Sequence, residues 1–427
     1  MLGGLGALNK VGVAVAQSLA PSSASLNLDF TLGSLDSRIT FTRASTATFF
    51  DSAGVLTSAA VNAPRFDYNP STLAPQGLLI EEQRTNLLVQ SENFATTWVA
   101  ANLSVSADAT TAPSGATTAD KLIATAVSGE HIADNSFTAV SGTTYTFSAF
   151  VKAAGLTDIG LRFTVAAFWT GSISPQVRFN LLDQTMSVIT GTPASYSITP
   201  VGNGWYRVSM SVVCIANGTP SARIQLMSGA SNNFTGNGVD GCFVWGAQTE
   251  AGAFATSYIP TTTTALTRNA DVASMTGTNF SSWYNAVEGT FVAQYLPSAV
   301  AASNAGQCVI HVSNGTATEQ LQLIKRANVD ASTRYRVDAG GVNSAFLNLG
   351  TFTATQTKAA ITYKVDDFVG IKSGGSLVTD TSGGVPAPNK MDIGTELSGL
   401  SSINGYIQRI SYYPTRLADS TLQALTA

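Results

Sequence analysis

Only two histidines, His131 and His311, accompany the 26 acidic residues of this 427-residue chain, and that balance limits the chemistry open to it. Glycoside hydrolysis needs two carboxylates about 5–9.5 Å apart across the scissile bond. On one face of a strand, such a pair appears as acids spaced by two. Glu81 and Glu82 are adjacent, as are Asp366 and Asp367, so on strands they point to opposite faces. Glu130–His131 joins an acid to a histidine, but its context reads as a surface turn after a strand. A serine triad needs Ser, His and Asp in mutual reach, and no G-x-S-x-G elbow occurs. Arg43 and Asp51 in ITFTRASTATFFDSAGVL (39–56) invite a catalytic reading. However, Ile39 and Phe41 alternate with Thr40 and Thr42 as in a strand, and DSAG is a turn before a return strand. Arg43 is therefore expected to pair locally, and no catalytic residue is assigned.

Binding chemistry offers more. SNNFTGNGVDG (231–241) could supply hard oxygen ligands for calcium from Asn232, Asn237 and Asp240. The same residues also suit a glycine-rich turn held by Asx side chains. Sugars stack on flat aromatic faces while polar groups reach their hydroxyls. Phe168–Trp169 precedes a Gly/Ser/Pro turn, where a strand–loop edge could present them to a glycan. The competing reading for Trp169 is core or intersubunit packing. Trp205, Trp245 and Trp283 lie beside strand residues and read as packing. Cys214, Cys242 and Cys308 are an odd and sparse set, which argues against a disulfide framework, and with no C-x-x-C and only two histidines they argue against a Cys/His zinc site. Cys214 and Cys242 could pair, or stand as buried thiols. No cofactor is expected apart from calcium at the 231–241 loop.

These residues must sit on strands. In TYTFSAFVKA (144–153), Tyr145, Phe147, Ala149 and Val151 share a face. In WYRVSMSVVC (205–214), Tyr206, Val208, Met210, Val212 and Cys214 share one face, while Arg207, Ser209 and Ser211 take the other. Short strands continue to the C-terminus between turn signals such as GNGW, NGTP and KSGGS. The expected fold is all-β, with two antiparallel β-sandwiches. Helix signals are few. RLADSTLQALTA could be capped by Asp419 or Ser420, with Leu422 and Leu425 on one face, and residues 4–20 could form a short apolar helix. Residues 1–38 read as an anchor plus the strand SLNLDFTL. Residues 39–92 read as a hairpin-like connector, and 93–262 and 263–427 as the two sandwiches. The opening MLGGLGALNKVGVAVAQSLAPSS faintly resembles a signal peptide and is read as a glycine-rich anchor packing against a partner.

Charged residues make up only 11%, against about 25% in an ordinary soluble domain, with a net charge of −4 and no Lys/Arg cluster. Nucleic-acid binding is excluded on that ground. No run of about 18 apolar residues exists, so no membrane insertion is expected.

Four stretches in order carry a family resemblance: FTRASTATFFDSAGVL with GLLIEEQRTNLL (77–88), SENFATTW (91–98), VWGAQTEAGAFATSYIPT (244–261), and WYNAVEGTFVAQY (283–295) answered by GYIQRISYYPTRLADSTLQAL. Together they resemble appendage proteins of tailed bacteriophages, of the tail-fibre, tail-spike and head-fibre types, over roughly residues 30–427. The resemblance implies a carbohydrate-binding-module-like jelly roll at 93–262 and a concanavalin A-like (laminin-G-like) sandwich at 263–427 with a closing strand and short helix. It further implies a virion protein assembled in bacterial cytoplasm, a homotrimer joined to other virion proteins through its N-terminus, and adhesion to host cell-surface polysaccharide. Two alternatives stand beside this. One is a head fibre or capsid decoration protein with a mainly structural role. The other is a polysaccharide depolymerase, against which the missing carboxylate pair counts.

Overall fold

A computed structural model describes residues 24–301, 305–326, 330–397, 399 and 401–427. The expected anchor and the helix at 4–20 fall mostly or wholly in residues 1–23, outside the described residues. The chain is all-β, built as two antiparallel β-sandwiches.

The first sandwich faces two six-stranded sheets across one core. One sheet runs in the order Ser195–Pro200, Tyr206–Val213, Thr144–Ala154, Gly241–Ala251, Thr117–Ala124, Leu103–Thr111. The other runs Met186–Thr190, Gln176–Asn180, Asp158–Phe163, Ser221–Met227, His131–Ser136, Val99–Ala101. The period-2 alternation decides the inner face. Phe147, Val151, Val208 and Met210 meet Leu161, Val177 and Ile224 from the opposing sheet. Each such side chain contributes about 1.5–3 kcal/mol by leaving water. The outer face of Tyr206–Val213 then carries Arg207, Ser209 and Ser211.

The second sandwich is assembled from both ends of the chain. Its eight-stranded sheet centres on the closing strand Gly405–Tyr413, flanked by Glu288–Pro297 and by Pro75–Ile80, with Phe66–Tyr68 beyond. Leu26–Asp29 also pairs with the closing strand, Leu26 opposite Tyr412. The facing seven-stranded sheet begins with Thr40–Thr42 on Val272–Thr276. Leu26, Leu28, Phe41, Leu78 and Ile80 therefore share one core with Phe291, Leu323, Ile361 and Ile410. Gly77 holds a positive φ of 105° where an added Cβ would lie 2.5 Å from the Ile407 carbonyl oxygen, so only glycine permits this approach.

The 39–56 stretch folds as a hairpin, Ala47–Phe50 against Leu56–Ala59, closed by Asp51 and by Gly54 with φ 74°. Its Thr40–Thr42 strand belongs to the second sandwich, so the connector also supplies sheet. The C-terminal helix spans Asp419–Thr426 with Leu422 buried. Its N-cap is Ala418, without a side-chain cap bond, in place of the expected Asp419 or Ser420. Asp419 instead pairs with Arg416.

Candidate functional site

The resemblance stretches meet in a buried ion network between the sandwiches. Arg43 of FTRAS bonds Asp271 at 3.0 Å, and Arg65 bonds the other Asp271 oxygen at 2.5 Å and Glu81 at 2.9 Å. Arg268 lies 3.4 Å from Glu81. The Ser257 hydroxyl and amide both donate to Glu81. The expected local pairing of Arg43 is corrected here. Its Nε and Nη2 do donate to the Ser45 and Ala60 carbonyls, but its ion-pair partner is 228 residues away. Burial pushes the Glu81 carboxyl upward, yet Arg268, Arg65 and Ser257 outweigh it and hold it down at about 2. For Arg65, burial works against the charge, and Asp271 with Glu81 overcomes it, so the guanidinium sits above its ordinary range.

Directly beside this network opens a cleft of about 540 Å³, within the size range of small-ligand sites. One wall is the outer face of the first sandwich, with Ser195, Ser197, Arg207 and Ser209. The Ser197 and Ser209 hydroxyls bond each other at 2.8 Å. The floor is Phe150 and Tyr258, each 1% exposed. The opposite wall is the connector, with Phe49, Phe50, Asp67 and Tyr68, and the second sandwich closes one end through Val300 and Tyr406. Phe49, Phe50, Tyr68 and Phe254 are half-buried, so the cleft offers aromatic surface alongside hydroxyls.

Two polar groups in the cleft differ in how well they are satisfied. Asp67 accepts from the Phe50 amide at 2.6 Å and from the Tyr406 hydroxyl at 2.8 Å. Burial raises its carboxyl to about 6, against those two donors, which favour the ionised form. Arg207 lies over the Phe150 ring at 5.3 Å and donates from Nη2 to Ser148 Oγ at 3.1 Å. Its Nε is sealed from solvent without a partner, and it makes no ion pair among the described residues. Burial lowers its affinity for the proton, with Glu250 and Glu81 opposing from a distance.

No family model matches the chain, and no curated protein matches it. Among solved structures, it is similar to the Ruminococcus gnavus IT-sialidase CBM40 bound to alpha2,3 sialyllactose, at 17% identity and TM-score 0.29, over 34% of this chain and 84% of that one. It is also similar to the NanB sialidase of Streptococcus pneumoniae at 14% identity and TM-score 0.29, over 35% of this chain and 26% of that one. The mouse laminin alpha1 chain, domains LG4-5, matches at 8% identity and TM-score 0.21, over 64% of this chain and 82% of that one.

The residues singled out in the sequence go elsewhere. Trp169 is fully buried, stacked on Phe163 at 4.4 Å, with its indole N–H donated to the Thr164 carbonyl. Its face cannot take a sugar ring, which corrects the binding expectation in favour of packing. Phe168 is half-buried, and its ring covers Gly218, where an added Cβ would lie 2.3 Å from it. The calcium set does not converge. Asn232 exchanges hydrogen bonds with Gln176, whereas Asn237 bonds Asp240 in an Asx turn. No group of three His, Cys, Asp or Glu side chains gathers for a metal among the described residues. Cys214 and Cys242 are separate buried thiols, and burial pushes Cys242 up to about 12. Glu130 faces Arg223 and Arg162, and His131 is buried with its ring nitrogens on the Asn102 and Phe234 carbonyls. Glu82 pairs with Arg84, Asp366 accepts the Gly383 amide, and Asp367 pairs with Arg416.

Sequence reasoning missed the cleft as a site. Its wall was visible in one respect: Arg207 was placed on the face opposite Val208 and Met210, a lone cation among serines. Asp67, Tyr68 and Tyr406 carried no comparable signal, because their meeting depends on strands more than 300 residues apart joining one sheet.

Proposed function

We propose that this chain is a virion protein of a tailed bacteriophage, a tail-fibre or tail-spike-type appendage that binds host-surface glycan in the cleft between its sandwiches and performs no catalysis. The observation that carries this reading is the cleft itself. Half-buried aromatic surface, paired serine hydroxyls and a poorly satisfied guanidinium line one concavity, the combination that apolar sugar faces and sugar hydroxyls require. The ordered motifs from FTRAS to the closing strand supply the virion assignment. In this reading the N-terminus joins other virion proteins and the appendage is a homotrimer. The alternative, a head fibre or capsid decoration protein, has a mainly structural role in which the same sandwiches extend the shell and make little or no glycan contact.

The test is a glycan array with the full chain, followed by titration of the strongest ligand against Tyr68→Ala and Phe254→Ala. Each truncation is expected to weaken binding about tenfold. Absence of binding to every host glycan overturns the adhesion reading. Release of reducing ends from host polysaccharide overturns the non-catalytic one.

A further inference from the structure

Arg207 is the group in the cleft whose surroundings leave most undone. A guanidinium carries five N–H donors. Here the Nε hydrogen is sealed without an acceptor and one Nη2 hydrogen goes to Ser148. The Nη1 pair and the second Nη2 hydrogen have no acceptor among the described residues. Arg207 is half-buried, so its Nε is sealed while the free Nη hydrogens open on the cleft, where only water meets them; an anion with hydrogen bonds would offset the partial loss of hydration. No carboxylate among the described residues bonds it: Glu250, whose charge favours the cation most, is held by Gln248 and Thr256. Asp67 is held by Tyr406 and Phe50, and Glu81 by Arg65, Arg268 and Ser257. The remaining Nη hydrogens form the end-on fork that matches the two oxygens of a carboxylate. The guanidinium lies over the Phe150 ring at 5.3 Å, and the Ser197–Ser209 hydroxyl pair lines the same wall.

We propose that Arg207 reads an acidic group, so that the sugar bound in the cleft carries a carboxylate, presented towards the strand Tyr206–Val213. This rests on the glycan-binding reading above and narrows its ligand to acidic polysaccharide. The carboxylate completes a cation that the fold leaves largely unpartnered, while adjoining hydroxyls meet the serines and the ring packs on the aromatic wall.

The experiment titrates the full chain with uronate- and nonulosonate-containing oligosaccharides and with their carboxyl-reduced counterparts, for wild type, Arg207→Gln and Arg207→Lys. Wild type is expected to prefer an acidic ligand over its reduced form by about tenfold or more. Arg207→Gln should abolish that preference, and Arg207→Lys, which keeps the charge without the fork, should retain part of it. The melting temperature of Arg207→Gln should stay close to wild type, because the fold loses one hydrogen bond to Ser148 and the contact over Phe150 but also sheds a half-buried, largely unpaired charge. Equal affinity for acidic and reduced ligands, untouched by Arg207→Gln, overturns the acidic-group inference and leaves glycan binding standing. A large fall in melting temperature with the preference intact assigns Arg207 to structure and overturns it too. Binding of neither class removes the glycan reading and the inference with it.

Discussion

At the scale of single residues, charge and burial decide the outcome. Asp271 neutralises Arg43 and Arg65 where no solvent reaches, and removing one partner of such a group leaves uncompensated buried charge. Asp271→Ala is expected to cost roughly 3–5 kcal/mol in denaturant unfolding. An effect within about 0.5 kcal/mol would mean that the network is not a structural centre. Asp67 sets a pH dependence of definite sign. Its folded carboxyl titrates near 6, above its unfolded value of 3.8. Its contribution is therefore complete below the unfolded value and is lost as pH rises through about 6, a span of about 3 kcal/mol. Glu81 acts oppositely, moving from 4.5 to about 2 on folding, so its contribution is present above 4.5 and lost as pH falls through about 2. Stability attributable to this pair should rise on acidification from pH 7.5 to about 5 and fall below about 4. Asp67→Asn should flatten the upper part of that curve, as measured by chemical denaturation across pH. A slope unchanged in the variant would remove Asp67 as its source.

At the scale of elements, the chain's early segments are strands of its last domain. Leu26–Asp29, Thr40–Thr42, Phe66–Tyr68 and Pro75–Ile80 lie in the sheets of the second sandwich, and their apolar side chains complete its core. A fragment of residues 263–427 is therefore expected to be unfolded or aggregated, and adding residues 24–92 as a separate chain should restore protection in hydrogen exchange. Residues 93–262 carry both sheets of the first sandwich and should fold alone, with part of its outer face exposed. A well-folded 263–427 fragment would contradict this. The local content of these strands was legible from alternation: Phe147 and Val208 face the core, Arg207 the outside, and DSAG turns a hairpin. Their pairing was not, because nothing in FTRAS itself says that Arg43 will meet Asp271 across 228 residues. The ordered motifs signalled a shared architecture without revealing its contacts. Those motifs now have a physical role, since FTRAS, IEEQ and FATSY each supply a member of the buried network.

At the scale of the whole molecule, the two sandwiches and the connector enclose a cleft that neither sandwich forms alone. That explains why the candidate site was hidden from the sequence. An exposed-looking aromatic pair, Phe168–Trp169, was legible but serves packing. The wall residues Tyr68 and Arg207 matter only once the connector folds over the outer face of the first sandwich. The most direct test is the structure of the full chain with the strongest acidic oligosaccharide from the titrations. The account predicts a sugar ring against the aromatic wall of the cleft, with its carboxylate within hydrogen-bond distance of both Arg207 Nη atoms. A sugar seated on any other surface, with the cleft empty at saturating ligand, would contradict it.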